Sequence, residues 1–340
     1  MGAIGALVIG GVVAAVMAPV DVRATVPTAV FEPVSVPLTP RPAPDPQVAA
    51  LPAPETDANR SHTVEALSLH FAEMGYDLKS VLDGAGQVPR VILASIPEDL
   101  KDVREVKTRK ALFFKSVLPL VLQVNEEILA DRERLWRVRV DQALGRKPSA
   151  VDRLWLAVLS EKYKVSRGDL DELLRRVDVI PPSLALAQAA EESGWGTSRF
   201  TREGNAIFGQ WTFSASHGIK PERRDEGKTH HVRAFGSLID SVRAYATNLN
   251  THRAYRGFRA ARADLRQTGR TLTGRQLAGA LTSYSQRGEA YVRTIRQIMA
   301  ANALEKLDGA KLRAFEDSGL RVAGEPPVPG GTESPAKPAI

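Results

Sequence analysis

The 340-residue chain predicts a mainly α-helical fold with a small β-hairpin lobe, preceded by a helical region and a proline-rich linker. Three observations predict it. Apolar residues recur three and four apart over most of His62 to Arg146 and again from Val151, which is the helical period. One short stretch, Lys228 to Phe235, alternates instead: His231, Arg233 and Phe235 point one way, Val232 and Ala234 the other, as in a hairpin strand. Ahead of both, prolines recur every few residues and forbid either regular structure.

Composition bounds the chemistry. Hydrophobic residues make up 43 % of the chain, enough for a core. There is no cysteine, which excludes disulfides and thiolate metal sites. The formal net charge is +7 and the pI about 9.6. A basic surface suits a polyanion such as nucleic acid, acidic lipid or bacterial wall polymer, and charge alone does not choose among them. The positive residues are spread from Arg132 to Arg321 with acids interleaved, the pattern of a solvated surface.

The elements follow in order. Residues Gly2 to Val20 are wholly apolar, long enough to span a bilayer as a helix. Val22-Arg23-Ala24 has the small last residue of a signal-peptidase site, although a basic leader is missing. Residues 1–24 are therefore read as a signal peptide or a membrane anchor. Residues 25–60 form a Pro-rich linker, extended and on the order of 100 Å in reach. The helical N-terminal region, 61–148, opens with Val64, Leu67, Phe71 and Met74 on one helix face, ended by Gly75. Val106 to Val138 reads as one long amphipathic helix or two, and Pro119 is expected to kink the run or mark a boundary. Another helix covers Val151 to Tyr163. A further one is expected over Ser166 to Val177 with Ser166 as N-cap and Asp169 three residues on. The tail, 309–340, is read as mostly disordered.

The chemistry concentrates between Ile180 and Phe213. Pro181-Pro182 suits a helix start, and Gly194 suits a left-handed stop. Leu184, Ala187, Gln188 and Glu191 share one helix face, and Ala185, Gln188, Ala189 and Glu192 the adjoining one. The alanines allow close packing, so this helix is expected to be central. Both glutamates fall in its last turn, where the negative end of the helix dipole disfavours a carboxylate. Trp195 and Trp211 are candidates for an apolar wall with the same effect. A raised carboxyl pKa is what a general acid at a glycosidic oxygen requires. Position alone does not separate Glu191 from Glu192.

The string Ala187-Gln188-Ala189-Ala190-Glu191-Glu192-Ser193-Gly194-Trp195-Gly196, followed by Asn205-Ala206-Ile207-Phe208-Gly209, resembles the signature of the glucosaminidase family of autolysins and flagellar peptidoglycan hydrolases. Phe235 to Tyr255, and Leu281-Thr282-Ser283-Tyr284-Ser285 with Arg287-Gly288-Glu289-Ala290-Tyr291, resemble its Bax subgroup. The resemblance implies a lysozyme-like fold over 149–308 and an endo-β-N-acetylglucosaminidase acting on the peptidoglycan glycan strand. It makes Glu192 the general acid, with Trp195, Asn205 and Phe208 shaping the catalytic floor. It places Tyr284 toward the substrate N-acetyl group or the water. A second carboxylate is expected in the β-lobe, where Glu222, Asp225 and Glu226 are available and Glu226 is favoured. Substrate assistance by the N-acetyl group is the alternative. Trp211, Phe213, Tyr245, Tyr255 and Tyr284 are aromatics of a size to stack on sugars, with core packing preferred for Tyr245 and Tyr255.

No cofactor is expected. His217, His230 and His231 lack metal-ligand spacing and are read as surface or hairpin residues. No nucleic-acid module is visible. The resemblance implies a bacterial envelope, periplasmic address, with membrane attachment through residues 2–20 if they are retained. Two rivals remain open: a lytic transglycosylase on the same fold, and a non-catalytic wall-binding or scaffold protein.

Overall fold

A computed structural model describes residues 63–212, 218–220 and 231–314. The apolar segment, the proline-rich linker and the tail beyond 314 lie outside the described residues, as do Phe213, His217, Glu222, Asp225, Glu226 and His230. Among the described residues no helix is long and apolar enough to cross a membrane.

The architecture is mainly α with one small antiparallel sheet, the arrangement expected of a lysozyme-like domain. Helices α1 (Val64–Glu73), α2 (Leu78–Leu82), α3 (Val106–Ala143), α4 (Ala150–Tyr163), α5 (Leu170–Arg176), α6 (Pro182–Ser193) and α7 (Arg199–Gly204) precede the sheet. Its strands are β1 (Trp211–Thr212), β2 (Gly218–Ile219) and β3 (His231–Arg233), with β3 in the middle. Then come α8 (Leu238–Thr251), α9 (Arg256–Gln267), α10 (Gly274–Ala278) and α11 (Glu289–Ala301), with a closing 3-10 turn at Leu304–Gly309. Polar residues start many of these helices. Thr63, Asp77, Ser149, Ser198, Ser237 and Thr273 each accept a hydrogen bond from a first-turn N–H.

Two expectations change. The helix after Ser166 starts later, because Asp169 rather than Ser166 is its cap and accepts from Glu172 N at 2.9 Å. A carboxylate is an equally good cap and gains from the positive end of the helix. Pro119 does not divide the long run: Val106–Ala143 is one helix of 38 residues, about 57 Å long. Residues 116–122 are buried on every side of that turn, and tertiary packing outweighs the lost backbone bond.

The core is continuous from Leu67 to Leu312 and does not break at residue 149. Phe113, Val117, Leu118 and Leu120 of α3 are fully buried within it, and α3 packs against α5, α6 and α8. The loop after α2 also meets the last described residues. Val88 N donates to Lys311 O at 2.9 Å, and Arg313 N donates to Val88 O at 2.8 Å.

Candidate active site

Helix α6 delivers the glutamates. Pro182 occupies its first turn, where no N–H is needed. The missing side-chain cap is supplied from afar, since the Asp308 carboxylate accepts from Ser183 N and Ser183 Oγ, both at 2.9 Å. All residues from Pro182 to Ala190 are buried, so α6 is the central helix. Its neighbours come very close. A Cβ on Gly274 would stand 2.1 Å from Ser183 Oγ. Gly194 then takes the left-handed conformation (φ 57°) and stops the helix directly after the glutamates.

The two carboxylates part company there. Glu191 faces outward and accepts from Arg287 at 2.6 Å. Glu192 points inward, and Tyr291 donates its hydroxyl proton to Glu192 Oε1 at 2.9 Å. Behind Tyr291 the bonds continue in one direction. Gln188 Nε2 donates to the Tyr291 oxygen at 2.9 Å, and Tyr245 donates to Gln188 Oε1 at 2.7 Å. Gln188 is fully buried, so both ends of its amide must be satisfied inside, and both are.

Burial raises the Glu192 pKa; the Tyr291 hydrogen bond opposes this, Glu191 adds to it, and Arg287 lowers it. The surrounding phenols stay neutral. Burial pushes Tyr245, Tyr255, Tyr284 and Tyr291 above the ordinary range, with the charge of Glu192 adding to each. Burial thus favours the neutral form of the Glu192 carboxyl and of the phenols around it.

The remaining residues singled out from the sequence fall into three places. Tyr284 joins the Glu192 group, stacked on Tyr291 with ring centroids 5.4 Å apart and tilted to Tyr255 at 5.7 Å. Phe208 is buried and stacks on Tyr245 at 3.8 Å, bracing the ring that starts the hydrogen-bond chain. Asn205 ends α7 with φ 52° and donates from Nδ2 to Phe235 O at 3.2 Å, tying α7 to the chain after β3. The next turn brings Gly209 to Glu192; a Cβ there would lie 3.7 Å from Oε2. Trp195 also has a positive φ, 63°, and its ring packs on Phe114 (5.4 Å) and Phe113 (6.2 Å) of α3, with Lys110 Nζ 4.3 Å from its centroid. Trp211 is largely exposed on β1. It lines a 710 Å³ groove between the sheet and α8, together with Gln210, Phe235, Arg243, Asn248 and Thr251. His231 lies in β3. Among the described residues no group of His, Cys, Asp or Glu is arranged to hold a metal ion.

A family model described as mannosyl-glycoprotein endo-beta-N-acetylglucosaminidase matches residues 168–304, which span α6, the sheet and α11. The chain is also 34 % identical over 204 residues to Protein bax of Escherichia coli (strain K12), covering 58 % of this chain and 71 % of that protein. This chain belongs to the glucosaminidase family. No solved structure matches it. Membership places it among glycosidases, and the Glu192 cluster lies inside the matched glucosaminidase segment.

Sequence reasoning left Tyr291 and Gln188 without roles. The signal for Gln188 was present: it lies four residues before Glu192, on the same face of a helix otherwise made of alanine and leucine. Tyr291 is 99 residues away from Glu192, and no local spacing connects them.

Proposed function

We propose that the chain is a peptidoglycan hydrolase of endo-β-N-acetylglucosaminidase type, with Glu192 as general acid. The observation that carries this reading is the inward Glu192 carboxyl, raised in pKa by burial and held by Tyr291. Glu192 protonates the glycosidic oxygen as the bond to the anomeric carbon breaks. Water then adds to that carbon and loses a proton, either to Glu226 or with help from the substrate N-acetyl group. Tyr284 faces the substrate N-acetyl group or the water, and Trp195, Asn205 and Phe208 frame the floor. Trp211 and its groove take neighbouring sugars of the glycan strand by stacking. The catalytic portion is 149–308, carried in the bacterial envelope on the Pro-rich linker, with residues 2–20 as signal or inner-membrane anchor. The net charge of +7 suits an anionic wall polymer.

The test is mass spectrometry of soluble fragments released from purified peptidoglycan by the chain and by its Glu192→Gln variant. Fragments ending in reducing N-acetylglucosamine, from the parent only, are expected. Anhydro-sugar ends would instead make the enzyme a lytic transglycosylase. Release from neither, with both proteins pelleting on the wall, would leave a binding module.

A further inference from the structure

Eleven large apolar side chains are strongly exposed among the described residues, and six of them lie at the end of α3 and along α4. They are Trp136, Val140 and Leu144 on α3, and Val151, Leu154 and Val158 on α4, each between 42 and 69 % exposed. The first three are spaced four apart, and the second three are spaced three and four apart, so each set forms one stripe. Helix α4 doubles back along the end of α3. Arg134 pairs with Asp152 at 2.8 Å and lies 4.4 Å from the Trp155 ring, and Lys162 pairs with Asp131 at 3.4 Å. The two helices are therefore adjacent, joined by the turn at 144–149, whereas Trp136, two residues past Arg134, opens away from α4 into a cleft lined by Arg139, Asp171 and Arg266. Scattered exposed apolar residues need no explanation; the five aliphatic ones on this hairpin do.

The charge around them is mainly positive. Between Arg134 and Val158 there are six arginines and lysines and two aspartates. Both aspartates are held by arginines, Asp152 by Arg134 and Asp141 by Arg146 at 2.9 Å. Arg137, Lys147 and Arg153 have no carboxylate partner among the described residues. A second copy docked on this face through a two-fold axis would set these cations against themselves. A soluble polyanion would satisfy the cations and leave the apolar stripes in water. An anionic lipid surface takes both: the aliphatic side chains enter the headgroup layer while the basic groups meet phosphates.

We propose that the α3–α4 hairpin is a docking surface for an anionic lipid membrane. It acts in addition to anything residues 2–20 do, and it does not depend on the glycosidase reading.

The chain has no cysteine, so a single introduced one reports on its own surroundings. In the full chain, Leu154→Cys would carry an environment-sensitive fluorophore, with Leu69→Cys on α1, another exposed apolar site, as control. Phosphatidylcholine vesicles with phosphatidylglycerol should shift the label at 154 to shorter wavelength and leave the label at 69 unchanged. Vesicles of phosphatidylcholine alone should leave both unchanged. Replacing Arg137, Lys147 and Arg153 together by glutamine should weaken the response at 154, by about fivefold in lipid concentration per residue. Equal responses at the two positions, or none, would overturn the proposal. So would a shift that needs no lipid and grows with protein concentration, which marks a second copy. A shift with peptidoglycan alone would overturn it in favour of wall polymer.

Discussion

Glu191 and Glu192 are neighbours in sequence, both half-buried, and differ in their partners. One is tied to the exposed Arg287, the other to the phenol of the buried Tyr291. Because the Tyr291 bond favours the charged form of Glu192, removing it has a definite sign. Tyr291→Phe should raise the Glu192 pKa further, so the high-pH limb of activity moves to higher pH. The peak rate should fall about tenfold, the worth of one hydrogen bond of ~1.4 kcal/mol in placing the acid. A pH–rate profile of the variant checks both, and a profile unmoved from the parent would remove Tyr291 from the acid's control. The raised pKa also bears on stability. A carboxyl whose folded pKa lies above its unfolded value favours the folded state less as pH rises from the unfolded value through the folded one. Glu192→Gln should therefore melt at a higher temperature than the parent above the ordinary carboxylate range, and the difference should vanish in acid.

At the scale of elements, the entry to α6 is fixed by a buried cluster. Asp178 is 2 % exposed, and although burial pushes its pKa up, Arg262, Arg266 and Arg132 together bring it below the ordinary value. Arg262 on α9 is itself fully buried, and burial pulls its pKa down to about 10 despite Asp178. It donates to the carbonyls of Asp178 and Val179, both at 2.9 Å. Removing one partner leaves the other buried and uncompensated, so Arg262→Met should cost ~3–5 kcal/mol in urea unfolding. Asp178, with a depressed folded pKa, stabilises above its unfolded pKa and loses that contribution as pH falls through the folded one. Asp178→Asn should flatten this acid limb. The contact of α10 with α6 is equally unforgiving. With 2.1 Å available for a Cβ, Gly274→Ala should destabilise by ~1–3 kcal/mol, read as a lower urea midpoint.

Over the whole molecule, one core joins the region before residue 149 to the glucosaminidase segment after it. Phe113 and Phe114 support Trp195, and Asn125 of α3 donates to Ile180 O at 2.8 Å and accepts from Ile180 N at 3.1 Å. A chain beginning at Ser149 loses all of these and should not fold cooperatively. A chain beginning at Thr63 should give a single sharp thermal transition by circular dichroism. A sharp transition from both would mean that the later segment carries its own core.

The sequence by itself determined what depends on neighbours along the chain. Period and capping chemistry yield α1, α4, α6 and the hairpin strand, because helix and strand signals are local. The string around Glu192 marks the family because its spacing is itself the signal. The tertiary structure decided what depends on distant residues. It kept Pro119 inside a single helix, since burial around that turn outweighs a local penalty. It supplied the α6 cap from Asp308, 125 residues beyond Ser183. It set Glu192 apart from Glu191 by giving them Tyr291 and Arg287, both about a hundred residues downstream. A carboxyl's protonation depends on burial and partners in space, and neither is written in the residues beside it.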